Sequence, residues 1–352
     1  MLRPLCVDDP SGGTQTAWVE AGRATRGQER QLTTQRFDHD AVVVGGGPAG
    51  LAAASWLARH RRSVILLDGG PPRSGPTEAT HGYLGSDPID PTELLDRART
   101  ELAAYPTATR RECRATAARM EGPGRFVVTI DDGVELAARR LVLATGVTDE
   151  LPPVAGIEDH FGADAFHCTT CDGYEARDRR VVVLGWGAQV AGVALELFDW
   201  AQEVTIVTAG QRFEGDDRHR RALDRHGVAL VEHEAAELVG PRHGLEGVRL
   251  DDGEWIPCDL VFFSVAHHPQ TDLARQLGCE LTGEGCLTVD DECRTSVDGV
   301  YGAGDVTPGI QLVQLAAAKG TLAGVTCALS LNGEPRLTDA PTPAPDPAAE
   351  LP

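Results

Sequence analysis

The sequence predicts an α/β fold with two Rossmann-like dinucleotide-binding units. Two strand–glycine turn–helix–strand patterns begin near Gly45 and Gly185, and short all-apolar runs alternate with helical ones, as in a buried parallel sheet. With 352 residues the chain is also long for one small core, so two domains are expected.

Ala41-Val42-Val43-Val44 is the first buried strand, followed by Gly45-Gly46-Gly47-Pro48-Ala49-Gly50, a helical pattern over 51–59 and a strand over 63–67 that ends on Asp68. This is G-x-G-x-x-G in its working context. Gly45 makes the turn, Gly47 lets a pyrophosphate approach, and Gly50 allows close helix packing. The helix start offers amides and a positive dipole end to the phosphates, and Asp68 is placed to accept from the adenosine ribose. Residues 94–105 read as an amphipathic helix. Residues 126–130 and 134–136 read as a hairpin over Asp131-Asp132-Gly133. A further strand over 141–146 ends in a small-residue turn, Thr145-Gly146, that brings backbone near a ligand; Pro152-Pro153 then marks a boundary.

The pattern restarts with Val181-Val182-Val183-Leu184, the Gly185-Trp186-Gly187 turn, a helix over 190–200 and a strand over 204–208. Here Val190 stands where glycine or alanine is wanted, and the strand ends at Thr208 without an acid for a ribose or an arginine cluster for a 2′-phosphate; Arg212 is the nearby cation. Gly185 and Gly187 are the candidate nicotinamide-nucleotide residues. Trp186 reads either as a cap on an emptied pocket or as ordinary packing. Near the end, Val300-Tyr301-Gly302-Ala303-Gly304-Asp305 is a strand feeding a turn, with a small-residue helix over 312–329; Asp305 is placed for a ribityl chain and the helix start for a flavin ring.

Between the two units lies Phe166-His167-Cys168-Thr169-Thr170-Cys171-Asp172-Gly173-Tyr174. Two thiols two residues apart can cycle between dithiol and disulfide, and an adjacent acid can move the proton. A structural zinc site would need a second ligand pair, and Cys258, Cys279, Cys286 and Cys293 form no doublet. With Cys113 and Cys327 they read as small apolar residues. His81 reads as a flavin-site residue or a loop hydrogen-bonder, and His267 as a neighbour of the dithiol or an interdomain structural residue.

The formal net charge of −21 disfavours nucleic acid and anionic membranes, and no apolar run is long enough for a membrane span. Nine cysteines without a regular framework, and no apolar leader in 1–36, predict a cytoplasmic setting in which a C-x-x-C is catalytic. Residues 1–36 read as a flexible extension and 337–352 as a disordered Pro/Ala-rich tail.

From about Asp38 to Glu334, the motifs GGGPAG (45–50), CTTCDG (168–173) and TSVDGVYGAGDVTPG (295–309) resemble the low-molecular-weight thioredoxin reductase family of flavoproteins. The resemblance implies two three-layer ββα domains, the second inserted into the first. An FAD domain would span 37–150 and 267–336, and a nicotinamide-type domain carrying the C-x-x-C would span 151–266. It also implies a homodimer. FAD would be held by Gly45, Gly47, Pro48, Ala49, Gly50, Asp68, Gly69, Arg73, His81, Thr145, Gly146, Gly304, Asp305, Gln311, Leu312 and Val313. Cys171 would face FAD, Cys168 would attack the partner, and Asp172 would serve as acid/base. The implied electron source is NADPH or NADH, and the implied partner a thioredoxin-like protein or a small-molecule dithiol or disulfide. Two features depart from the reductases: Thr208-Ala209-Gly210 replaces a His-Arg-Arg patch, and the run from Asp68 through Arg73 to Gly85 looks more like the dithiol oxidase branch, which passes electrons to oxygen. Three readings follow: a disulfide reductase, a dithiol oxidase, and a flavin-binding module with idle cysteines.

Overall fold

Apolar runs become central strands, and the glycine turns between strand and helix set their direction. A computed structural model describes residues 37–264 and 267–337; the extension expected over 1–36 and the tail expected from 338 onward lie outside them. The chain forms β1 (His39–Val44), α1 (Pro48–Arg59), β2 (Val64–Asp68), α2 (Pro91–Ala103) and β3 (Ala108–Glu112). A meander of β4 (Ala115–Gly122), β5 (Arg125–Ile130) and β6 (Glu135–Leu143) follows, and β7 (Val147–Asp149) leads away from it. Next come α3 (Ile157–His160), β8 (Ala165–Phe166) and α4 (Thr169–Asp172). The second unit is β9 (Arg180–Leu184), α5 (Gln189–Leu197), β10 (Glu203–Val207), α6 (Asp217–His226) and β11 (Ala229–Val231). Strands β12 (Ala235–Val239), β13 (Gly247–Leu250) and β14 (Trp255–Pro257) precede β15 (Leu260–Phe263), and the described chain closes with β16 (His267–Pro269), α7 (Asp272–Leu277), β17 (Val300–Gly302) and α8 (Val313–Ser330).

The first sheet runs β3-β2-β1-β6 in parallel. The two halves of β6 have different partners. Its start pairs antiparallel with β5 (Phe126 opposite Ala138), and its end pairs parallel with β17 (Val300 opposite Leu141). The hairpin arm and the later strand read separately from the sequence are therefore one strand. Between them, Arg139 and Arg140 are satisfied in place: Arg139 donates to Asp40 at 2.8 Å, and Arg140 donates to the Ser330 carbonyl at 3.0 Å and to Glu334 at 3.1 Å. Strands β3, β4 and β12–β14 were not anticipated, because their charged and half-exposed residues hide the period-two signal.

Small residues let α8 cross α1 at backbone distance. A Cβ on Gly320 would stand 2.1 Å from the Ala49 carbonyl oxygen, and one on Gly324 would stand 2.5 Å from that of Ala53. This contact places the β17–α8 connection beside the Gly45–Gly50 loop.

The second sheet is five parallel strands, β11-β10-β9-β15-β8, with the β12–β14 meander alongside. Helix α5 stops at Leu197, short of the expected 200, and Phe198–Trp200 continue as turn. The chain leaves the first sheet on β7 and returns on β16, which pair antiparallel (His267 opposite Asp149). The second domain is thus an insertion into the first.

Candidate active site

Strand β8 sits at the edge of the second sheet, Phe166 opposite Phe262, and delivers the chain directly to Cys168. Cys168 caps α4, its Sγ accepting from the Cys171 amide at 3.1 Å, and the two sulfurs are bonded at 2.09 Å. The short helix is anchored from behind. Thr169 Oγ1 donates to Glu196 of α5 at 2.7 Å, and Gly173 packs so closely on Trp200 that a Cβ there would lie 2.6 Å from the ring. Asp172, next to Cys171, is buried. Desolvation first and the charge of Glu175 second push its carboxyl up to about 7, against an opposing pull from His81.

The first glycine loop is shaped around an open space. Gly45 has φ +116°, and a Cβ there would strike the Ala144 carbonyl oxygen at 2.1 Å. A Cβ on Gly50 would lie 1.8 Å from the Gly45 carbonyl oxygen, whereas one on Gly47 would meet no non-neighbouring atom within 4 Å. Helix α1, with Pro48 and Ala49 in its first turn, begins at that gap. Such a cleared helix start fits the pyrophosphate of a dinucleotide. Asp68 lies across Gly46, and its Oδ2 accepts from Arg99 at 3.1 Å and Arg110 at 2.8 Å.

The second loop differs. The space over Gly187 is taken by the Gln189 carboxamide, 2.2 Å from where a Cβ would sit. Val190 is fully buried at the third position, its methyl 3.2 Å from a Cβ on Gly185. Past β10, Thr208 is buried and its hydroxyl donates to the Gln211 carbonyl, and Ala209 and Gly210 bring no charge. Trp186 is only partly covered, as expected for neither a tight cap nor a core residue.

Of the remaining expected residues, Asp305 and Gln311 meet at Arg73. Its guanidinium donates to Asp149 through Nε at 2.7 Å, and through Nη1 to Asp305 at 3.1 Å and Gln311 at 2.6 Å, with His167 Nε2 at 3.2 Å from Nη2. Burial opposes the charge on Asp149, yet Arg73 and His167 outweigh it and its pKa falls. Burial dominates at Asp305, whose pKa rises despite the same arginine. Arg73–Asp149 is therefore the tight ion pair, and Asp305 keeps capacity for another partner. Gly304 has φ +77°, and a Cβ there would lie 2.7 Å from that of Ala49; Leu312 caps α8 and Val313 opens it. Thr145 Oγ1 donates to the Gln270 carbonyl at 2.6 Å, and the Gly146 carbonyl accepts from the Gln270 amide at 2.9 Å, so this turn holds the returning chain. Gly69 packs against Cys113 and Arg114.

A cavity of about 510 Å³ is lined by Arg73, His167, Cys168, Gln189, His267 and Gln311, among others. Cys168, rather than Cys171, opens on it. His81 stands on the other side of the motif, its Nδ1 3.3 Å from Asp87 and its Nε2 3.5 Å from Glu175. Asp149, His167 and Glu175 had not been singled out in the sequence; only their places beside β7 and the C-x-x-C hinted at them. The six other described cysteines are buried and unbridged, and burial pushes Cys258 and Cys327 up to about 12, far from reactive. Among the described residues no helix is long and apolar enough to cross a membrane.

Comparison with known proteins agrees with this architecture. Residues 39–320 match the family described as pyridine nucleotide-disulphide oxidoreductase. A thioredoxin reductase of Mycolicibacterium smegmatis is 30% identical over 86% of this chain and 98% of its own. The crystal structure of HlmI superposes with a TM-score of 0.79 at 36% identity, covering 83% of this chain and 92% of that one. That of thioredoxin reductase from Streptococcus pyogenes gives 0.77 at 25% identity, covering 83% and 98%. With its two nucleotide-type units and the C-x-x-C on the second, the chain belongs to the pyridine nucleotide-disulphide oxidoreductases, on their low-molecular-weight thioredoxin reductase-like side.

Proposed function

We propose that this flavin-dependent disulfide oxidoreductase cycles Cys168–Cys171 between disulfide and dithiol, exchanging electrons with a protein or small-molecule sulfur compound. The observation that carries the reading is the bonded cysteine pair, with Cys168 lining the cavity that Arg73 and the 307–311 segment ahead of α8 also line. FAD, when bound, supplies a two-electron store. Gly45, Gly47, Pro48, Ala49 and Gly50 would hold its pyrophosphate at the α1 start, with Gly304, Asp305, Gln311, Leu312 and Val313 toward the ribityl and ring end. Cys168, open to the cavity, takes the outside sulfur; Cys171 forms the internal bond; Asp172 carries a proton, and a carboxyl near 7 exists in both forms at neutral pH.

A second reading, a dithiol oxidase that passes electrons to oxygen, is favoured by one specific feature. The second glycine loop is filled by Gln189, and the end of β10 offers Thr208-Ala209-Gly210 in place of cations. Anaerobic addition of NADPH, NADH and then dithiothreitol, followed by flavin absorbance, separates the two. Rapid bleaching by a nicotinamide supports the reductase. Bleaching by dithiothreitol alone, with peroxide formed in air, supports the oxidase. A flavin untouched by all three reagents removes both. We also propose a homodimer in the cytoplasm, which light scattering and fractionation test.

A further inference from the structure

The Asp172 carboxyl is enclosed, yet each turn of the proposed cycle must bring a proton to it and take one away. Glu175 lies three residues on in the turn Gly173–Ala176, its side chain 36% exposed. Its Oε2 is buried without a hydrogen-bond partner, while its Oε1 lies 3.5 Å from His81 Nε2. The other His81 nitrogen, Nδ1, faces Asp87 at 3.3 Å, and Asp87 is half exposed. One imidazole thus bridges an inner and an outer carboxylate, a nitrogen toward each. An orphan carboxylate oxygen with no structural hydrogen bond to make costs stability, which calls for a functional explanation.

We propose that Glu175 and His81 form the path by which the Asp172 proton reaches solvent. The proposal rests on the thiol–disulfide reading above. Closing the disulfide breaks two S–H bonds, forms one S–S bond and releases two protons and two electrons. Bound FAD would take up the two electrons with one of the protons, that of Cys168. The net proton released passes from Cys171 to Asp172, then to Glu175, His81 and water beside Asp87; opening the disulfide runs the same path inward. The other charged groups packed near this path are already engaged. Glu196 of α5 is held by Thr169 at 2.7 Å, and Arg177 lies over the Tyr174 ring at 4.4 Å.

The path is tested on the FAD-loaded protein by titrating the Asp172 carboxyl with carbon-13 NMR, its signal assigned by loss in Asp172→Asn. Glu175→Gln removes the group that raises the Asp172 pKa and is expected to lower the midpoint by roughly one pH unit; His81→Gln removes the group that opposes it and raises the midpoint by a similar amount. The pH profile of anaerobic flavin bleaching by dithiothreitol should move with each midpoint, and imidazole in the buffer should restore bleaching to His81→Ala. Asp87→Asn, on the surface, gives a smaller upward shift should the inner variants fold poorly. Midpoints that stay fixed, or that move in the same direction, overturn the proposal, as does a His81→Ala variant that imidazole cannot rescue. An Asp172→Asn protein that bleaches like wild type at every pH instead overturns the underlying role of Asp172.

Discussion

At the residue scale, Asp172 pairs chemistry with a stability cost. Its folded pKa stands at about 7 against an ordinary 3.8, chiefly from burial. Below pH 4 it is protonated in both states and contributes nothing. As pH rises toward 7 only the unfolded chain ionises, so stability drains away, and above 7 the full penalty remains, up to about 4 kcal/mol. Asp172→Asn should therefore be more stable than wild type in denaturant melts at pH 8, with the difference vanishing at pH 4. Equal gains at both pH values would show that the carboxyl is not desolvated. The same substitution should slow dithiol–flavin exchange by about a hundredfold or more, read by rapid mixing. The C-x-x-C and its acid were legible in the sequence because their spacing is itself the chemistry. The partners were not. Arg73 and Asp149 are 76 residues apart, and nothing local marks either as half of an ion pair.

At the element scale, the two glycine loops share a sequence pattern but present different surfaces. The gap over Gly47 and the contact at Gly50 make separable predictions. Gly47→Ala should leave the unfolding free energy within about 0.5 kcal/mol of wild type while weakening FAD retention, measured by the ratio of flavin to protein absorbance. Gly50→Ala and Gly320→Ala force a methyl into backbone and should cost about 3 kcal/mol or more. A Gly47→Ala protein that keeps FAD as tightly as wild type would show that the pyrophosphate lies elsewhere. Strand and helix identity was readable wherever apolar periodicity was strong, as in β1, β2, β9 and β10. At β6 both ends were read as strand but not their continuity through Arg139 and Arg140, and β3, β4 and β12–β14, whose exposed faces carry charge, were not read. That Gln189 fills the second loop could not be read at all, since glycine spacing does not say which side chain folds over it.

At the scale of the whole molecule, the β7–β16 ribbon carries the inserted domain and sets the cysteine pair of one domain against the Arg73 cluster of the other. Two domains followed from length and from the repeated pattern; their arrangement follows from pairings far apart in sequence. If the second loop serves no nicotinamide, NADPH and NADH should reduce the flavin equally poorly, and Gln189→Gly, which clears the loop, should improve neither unless cations are also added after β10. The central claim is that electrons pass between the flavin and an outside sulfur compound only through Cys168 and Cys171. Rapid mixing of FAD-loaded wild type and Cys171→Ser with dithiothreitol, without oxygen, tests it most directly. The account predicts fast loss of flavin absorbance in the wild type and none on that timescale in the variant; equal rates in the two proteins would contradict it.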